Sequence, residues 1–388
     1  MPIETRVVVV GGGIAGASAA YELAKSGSVV LLEREPQVGY HSTGRSAASF
    51  TENYGALIIR RLAMASRPFL EAPPAGFSEH ALLSPRGMLT IARPEQLALL
   101  ERKLAEARAL VPSIHRVSIE EALERVPVLR RDCLAGAFLE PDSRDIDVHA
   151  LHQGFLRGAR SRGARVLVDT AVTALERRGG AWHISSADST FIAPVVVNAA
   201  GAWADALAQL AGVPAVGLVP KRRTAFTVPL PPGLRPEHWP MVDDAGEEFY
   251  FKPDAGQLLV SPADATPSPP TDAYPEDLDI ASGVERLERA TTLQVQRVTR
   301  SWAGLRSFVA DGAPVAGFDA AVEGFFWLAA QGGYGIKTSP ALARVCAACV
   351  RGEPLPQDLL RLGVSAAELS PERLRRRTAT PTPAGASH

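Results

Sequence analysis

Residues 7–33 constrain this chain more than any other stretch. Val7-Val8-Val9-Val10 is a short, wholly apolar run, which reads as a strand buried on both faces of a parallel sheet. Gly11-Gly12-Gly13-Ile14-Ala15-Gly16 follows, then an alanine-rich segment to Lys25, then Val29-Val30-Leu31-Leu32-Glu33. Glycines permit a tight turn and let backbone approach a phosphate closely. The helix expected from Ile14 to Lys25 would point its positive N-terminus at that phosphate. Glu33 stands 22 positions after Gly11, about the spacing at which an acid closing the second strand accepts hydrogen bonds from ribose hydroxyls. A lone glycine motif is weak. Here strand, turn, helix, second strand and acid agree, and they imply that the chain holds FAD or NAD by its adenosine diphosphate half.

The 388 residues, 46 % of them hydrophobic, suffice for a large core divided into about two domains. The net charge of −1 argues against nucleic acid or an anionic membrane as partner. No apolar run approaches the roughly 20 residues that span a bilayer, and no leader pattern precedes the first strand. Three cysteines are too few for a disulfide framework, so a cytoplasmic setting is expected. Cys346 and Cys349 form a CxxC within a small-residue helix and read as packing residues. His149 and His152 lie three apart on a helix and read as solvated positions; no metal is expected.

Helical segments are expected at 95–110 and 118–126, and Asp147 reads as the N-cap of a helix running to about Arg162. The strand Arg165-Val166-Leu167-Val168 follows, and Val195-Val196-Val197 is a second buried strand running into a small-residue turn. From about 216 to 300 prolines, aromatics and alternating apolar residues suggest an antiparallel sheet, with a surface loop at Pro262–Asp277. Glycine-rich α/β character returns at Trp302–Gly317 and Gln331–Ser339. The expected fold is α/β: a Rossmann-like, glutathione-reductase-type nucleotide domain from the discontinuous segments 1–80, 141–215 and 301–370. An α+β substrate domain would be formed by 81–140 and 216–300. Residues 376–388 are expected to be a disordered tail.

Two segments favour a flavin. Gly39-Tyr40-His41-Ser42-Thr43-Gly44-Arg45-Ser46-Ala47-Ala48 could run along a pyrophosphate and ribityl chain. Gln331-Gly332-Gly333-Tyr334-Gly335-Ile336-Lys337-Thr338-Ser339 leads into a helix expected near Ser339. Its amides, helix dipole and Lys337 could stabilise negative charge on a reduced flavin. A glycine turn with a surface lysine is the plainer alternative.

These stretches, with Leu151–Gly158, Pro220-Lys221-Arg222-Arg223 and Trp302–Gly312, resemble the D-amino-acid oxidase-like superfamily of FAD enzymes. Within it the likeness is greatest to the bacterial D-arginine dehydrogenases, and it extends to about Leu369. The resemblance implies oxidative deamination of a D-amino acid: hydride passes from Cα to flavin N5, and the imino acid hydrolyses to a 2-oxo acid and ammonia. It implies that Arg223 and Arg306 clamp the substrate carboxylate, for which guanidinium is suited by its bidentate fork. Tyr250 would donate to the same carboxylate and Tyr54 would cover the substrate, with Ser49, Thr51, Met241, Asp243 and Gly333 as further substrate contacts. For the cofactor it implies Gly11, Gly13, Ala15, Gly16, Glu33 and Arg34, then Ser42, Thr43, Gly44, Arg45, Ser46, Ala47, Ala48 and Ser49. Val172, Ala200, Gly201, Gly332, Gly333, Tyr334, Gly335, Ile336 and Lys337 complete that set. No cysteine lies near Arg306 and the related dehydrogenase carries the same Tyr-His-Ser-Thr-Gly motif, so FAD is expected to be non-covalent, although His41 could in principle attach to it. The electron acceptor is unidentified, with a quinone or the respiratory chain as candidates, and a peripheral place at the membrane stays open.

Three departures from the D-arginine dehydrogenase pattern bear on function. Ser84-Pro85-Arg86-Gly87-Met88 lacks the glutamate that grips the far end of a basic substrate, which puts arginine preference in doubt; Asp243 or Asp244 could substitute. Ser49 stands in place of a histidine. Lys337 replaces a glutamine, and a lysine there is common in related oxidases. An oxygen-using amine or amino-acid oxidase is therefore the nearest rival, followed by a 2-hydroxy acid dehydrogenase and a non-catalytic FAD-binding subunit.

Overall fold

Residues 1–378 are described by the structure, a computed structural model. The apolar runs form the sheet they predict. Six strands lie in the order Arg165–Leu167, Val29–Leu32, Val7–Val10, Val195–Asn198, Phe325–Ala329, Val315–Phe318, with only the last pairing antiparallel. The helix Ile14–Leu23 covers one face, packed between the helices Val148–Arg160 and Gly335–Arg351. On the other face Trp182 and Phe191, from a four-stranded sheet, pack with Phe325 and Trp327. The sheet is thus assembled from segments far apart in sequence, as a doubly covered parallel sheet requires.

A second sheet has eight strands: Arg300–Phe308, Val219–Pro229, Gln257–Ser261, Tyr250–Asp254, Met241–Asp244, Met88–Ala92, Gly136–Glu140 and His115–Val117. It is mixed where the sequence suggested antiparallel. Met241–Asp244 runs parallel to Met88–Ala92, because no hairpin joins these distant segments and nothing forces them antiparallel.

The predicted helices occur as Leu97–Leu110, Ile119–Arg125 and Val148–Arg160, the last capped by Asp147, whose Oδ1 accepts from Ala150 N at 2.8 Å. Two boundaries differ. The helix expected near Ser339 begins at Gly335 and carries Pro340 inside it, so Lys337 is a helix residue rather than part of a loop. Arg375 does not end the ordered chain: the helix Glu372–Thr378 includes 376–378, and the rest of the proposed tail lies outside the described residues. Cys346 is fully buried and Cys349 partly so on the Gly335–Arg351 helix, in keeping with a packing role. Among the described residues no helix is long and apolar enough to cross a membrane.

The closest approach in the nucleotide turn is made by Gly16, where a Cβ would stand 1.9 Å from Gly11 O. Gly16→Ala must push the helix off the strand, and we expect a stability loss of about 1–3 kcal/mol in urea unfolding, with reduced flavin content.

Candidate active site

Three cavities run into one another past the carboxyl ends of the parallel strands, where ligands of open α/β sheets bind. Gly11, Gly13, Glu33, Arg34, Val172, Ala200 and Gly201 line the first. Gly13, Ala15, Thr43, Arg45, Gly332 and Gly335 line the second, which shares Gly13, Ser42, Thr43, Ala199 and Gly201 with the first. The third is lined by Ala48, Ser49, Thr51, Tyr54, Met241, Asp243 and Lys337, and shares Ser46, Ala47, Arg223, Tyr250, Arg306, Gly333 and Ile336 with the second.

The first two cavities fit a dinucleotide. Gly11 has φ +111°, and a Cβ there would lie 2.3 Å from Ala199 O, so only glycine makes this turn. Gly13 caps the helix Ile14–Leu23 without a side-chain bond, and the first-turn amides of Ala15 and Gly16 have no intrahelical acceptor. Glu33 accepts from Gly12 N at 2.7 Å and from Glu35 N at 2.9 Å, which leaves each oxygen a second lone pair. His41 lies at the Glu33 end rather than the Arg306 end, its Nε2 2.9 Å from Glu35 Oε1. No cysteine lines any of the three cavities.

Several predicted cofactor residues serve the protein itself. Ser42 Oγ donates to Leu305 O at 2.6 Å, and Thr43 Oγ1 accepts from Ile14 N at 3.0 Å. Arg45 pairs with Asp272 and donates to Ala273 O at 2.9 Å and Ala303 O at 3.0 Å. Gly16, Gly44 and Tyr334 line none of the three cavities. Gly44 closes a turn through its amide and Gly39 O at 2.8 Å, and the Tyr334 ring backs Tyr54 at 5.1 Å. His152 corrects the expectation of a solvated position. It is buried, with Nε2 2.9 Å from Gly12 O, so it braces the glycine turn; burial lowers its pKa. Its partner on the helix, His149, is exposed.

The third cavity is walled by the eight-stranded sheet. Arg223 pairs across from Gly304 and Lys221 from Arg306, which puts the two guanidiniums diagonally on one face. Arg223 donates through Nε to Asp264 O at 2.6 Å, and neither guanidinium forms an ion pair with a carboxylate among the described residues. Gly333 makes room for Arg306: a Cβ there would lie 2.9 Å from Nη1. One row of paired residues, Thr90, Asp243, Tyr250 and Ser261, crosses the same wall. Burial would raise the Tyr250 phenol, but Arg306 and Arg223 outweigh it and the net shift is downward, which makes it a better donor to an anion. Arg223 is itself pulled below the ordinary arginine value by burial and by Arg306.

The structure also separates the two candidate acids. Asp243 lines the cavity, accepting from Thr90 Oγ1 at 2.8 Å, and burial pushes its carboxyl up to about 7. Asp244 points the other way and ties a turn, accepting from Gln96 Nε2 at 3.0 Å and Gly246 N at 2.8 Å. Lys337 is buried rather than a surface lysine and lines the third cavity. Its Nζ donates to Thr51 O at 2.8 Å and Tyr54 O at 2.9 Å, and burial lowers it to about 7. Thr51 spends its hydroxyl on Glu140 Oε2 at 2.8 Å. Met88, Glu247 and Phe249 also line this cavity and were not singled out by the sequence; Glu140, which holds Thr51 without lining the cavity, left one signal, as the acid ending the apolar run Gly136–Glu140.

The model of the FAD-dependent oxidoreductase family known as DAO matches residues 6–349. The chain belongs to that family. The family is one of FAD-dependent oxidoreductases, which accounts for the glycine turn and the trough beyond it. Glycine oxidase of Geobacillus kaustophilus is 26% identical over 367 residues, covering 91% of this chain and 94% of that protein. The crystal structure of that species' glycine oxidase superposes with a TM-score of 0.81 at 24% identity, covering 93% of this chain and 98% of the other. Mitochondrial dimethylglycine dehydrogenase of Rattus norvegicus is 25% identical over 401 residues, and the match takes in 97% of this chain but 46% of that one. The chain thus spans about half the length of the mammalian dimethylglycine dehydrogenases it matches. These relatives support the superfamily without singling out D-arginine dehydrogenases.

Arg306→Ala should lower kcat/KM for a carboxylate-bearing substrate by about 2–5 kcal/mol, that is by about 30-fold at the least, with flavin content unchanged. Arg306→Lys should restore only part of the loss, since an ammonium cannot make the planar fork; steady-state kinetics with flavin absorbance as the control checks both.

Proposed function

We propose that this DAO-family chain oxidises the Cα–N bond of a D-amino acid, releasing an imino acid that water converts to a 2-oxo acid and ammonia. The observation that carries the reading is the pair Arg223 and Arg306, free of carboxylate partners and facing a cavity continuous with the cofactor trough. Cations walled in without partners are costly, and a substrate carboxylate relieves that cost while fixing Cα in place. FAD, when bound, supplies the two-electron acceptor. The chain's own residues bind and orient: the guanidiniums and Tyr250 hold the carboxylate, Tyr54 and Lys337 close one side, and Met88 and Met241 line the way to Asp243. The neutral amine supplies the electronic push, so no protein base is assigned. The D configuration rests on the motif likeness described above. A second reading, oxidation of glycine or sarcosine, is favoured by the near full-length similarity to glycine oxidase.

Anaerobic mixing of the purified yellow protein with D- and L-amino acids, glycine, sarcosine, dimethylglycine and 2-hydroxy acids separates these readings. Bleaching of the flavin by D-amino acids is the expected result; bleaching by glycine and sarcosine alone would favour the second reading, and bleaching by 2-hydroxy acids alone would sink both. The rate of re-oxidation on admitting air then distinguishes a dehydrogenase (slow) from an oxidase (fast).

Asp243 sets a further expectation. With a carboxyl titrating at about 7, it is neutral below that pH and anionic above it. The ratio of kcat/KM for lysine over norleucine, which differ only in the terminal ammonium, should therefore rise from pH 6 to pH 8, and Asp243→Asn should remove most of the rise.

A further inference from the structure

Glu140 is a buried carboxylate outside every role assigned so far. It ends the strand Gly136–Glu140, opposite Met88, on the sheet face that walls the substrate cavity. Its Oε2 accepts from Thr51 Oγ1 at 2.8 Å, and the same hydroxyl oxygen accepts from Asn53 N at 3.1 Å. From the other side Lys337 Nζ donates to the carbonyls of Thr51 and Tyr54, and its charge lies about 5.6 Å from the centre of the Tyr54 ring. Glu52 is tied to Arg67 at 2.8 Å. The segment 51–54 is therefore pinned to the sheet by Glu140, to the helix Gly335–Arg351 by Lys337, and to the helix Leu57–Glu71 by Arg67. Of the three attachments only Arg67–Glu52 is a direct ion pair. Glu140 and Lys337 thus hold the same residue by different atoms, the carboxylate at the Thr51 hydroxyl and the Lys337 Nζ at the Thr51 carbonyl, and each feels the other's charge.

We propose that Glu140 is a positioning residue which, through the Thr51 hydroxyl and opposite the Lys337 ammonium, sets where Tyr54 stands over the substrate cavity. The inference rests on the reading that this cavity takes the substrate. Burial raises the Glu140 carboxyl, while the hydrogen bond from Thr51 and the charge of Lys337 hold it down. Lys337 is faced by Glu140 from the sheet, by Glu52 and Tyr54 from the loop, by Arg60 from the helix Leu57–Glu71, and by Tyr334 at the start of its own helix. Removing the negative charge of Glu140 lowers the affinity of Lys337 for its proton, and with it the hold on the Thr51 and Tyr54 carbonyls.

Glu140→Gln keeps an acceptor for Thr51 but loses the charge; Thr51→Val keeps the shape but loses the hydroxyl. In the FAD-loaded enzyme we expect Glu140→Gln and Thr51→Val each to raise KM about tenfold, with kcat within threefold and flavin content unchanged, and Thr51→Ser, which keeps the hydroxyl, to recover most of the loss seen in Thr51→Val. The double variant should fall short of additivity, because part of the effect of Glu140 reaches the loop through the Thr51 hydroxyl. Glu140→Gln should also move the Lys337 limb of the kcat/KM profile to lower pH, which a merely structural loss would not do. Hydrogen exchange of the amides of residues 51–54 should accelerate about tenfold in both single variants, and this readout needs no substrate. Unchanged exchange together with unchanged KM in Thr51→Val, or fully additive effects in the double variant, would overturn the proposal even if amino acids bleach the flavin. Accelerated exchange with no amino acid bleaching the flavin would instead support the Glu140 linkage and count against the substrate reading alone. Should Glu140→Gln fail to fold, the Thr51→Val pair of readouts decides the matter.

Discussion

Two guanidinium groups held diagonally on one sheet face, with no carboxylate pairing them among the described residues, form an arrangement that the rest of the site has to support. Like charges in a walled cavity repel, and the depressed proton affinity of Arg223 records both its burial and the nearness of Arg306. The supports are specific. Asp264 takes Arg223 Nε on its backbone carbonyl, while its carboxylate is held by Thr224 N at 2.6 Å and Thr224 Oγ1 at 3.1 Å. Gly333 leaves the space that the Arg306 guanidinium fills. Tyr250 adds a phenol whose proton is loosened by the same two charges. An anion would complete the arrangement, which is the physical ground for proposing a carboxylate site.

The cofactor trough and the substrate cavity meet because one stretch of chain serves both. Phe325–Ala329 is a strand of the parallel sheet, and within four residues of its end the chain reaches Gly333, against the Arg306 guanidinium. The turn between them is made at Ala330 with φ +58° and Gly332 with φ +53°. An alanine in the left-handed region stores strain, and strain of this kind persists only where the surroundings over-determine the conformation. Gly332 has a packing reason too, since a Cβ there would stand 2.4 Å from the Phe308 ring. The helix beginning at Gly335 then returns Lys337 to the opposite side of the same cavity.

Much of this was legible in the sequence where the signal is local. The valine run, the glycine turn, Glu33 and the Asp147 cap each announce themselves within a few residues, and all fall in place. Long-range placement was not legible. His152 looks like a solvated helix residue until the helix docks against Gly12. Asp243 and Asp244 are adjacent on one strand, so they face opposite ways, and which one meets the cavity depends on the pairing of Met241–Asp244 with Met88–Ala92. Lys337 read as a flavin partner with a surface lysine as the plainer alternative, and its burial was not legible because periodicity gives no warning that a helix will start before Pro340. Glu140 ends a strand like any edge acid until the Thr51 hydroxyl closes over it.

The two ends of the substrate cavity differ in how they depend on pH. Arginines stay protonated at any pH the fold survives, so Arg223 and Arg306 are fixed charges. Asp243 and Lys337 both titrate at about 7, and burial drives them in opposite senses: the acid is pushed up and the base is pulled down. Below that pH the pair is a neutral carboxyl and an ammonium; above it, a carboxylate and an amine. Each step removes positive charge or adds negative charge, so the cavity that both residues line becomes more hospitable to a cation as pH rises. The two arginines are untouched by the same change. On the proposed reading one end of the substrate would be held with constant strength while the choice of side chain shifts around neutrality, and Asp243 and Lys337 lie on elements that Arg223 and Arg306 do not use.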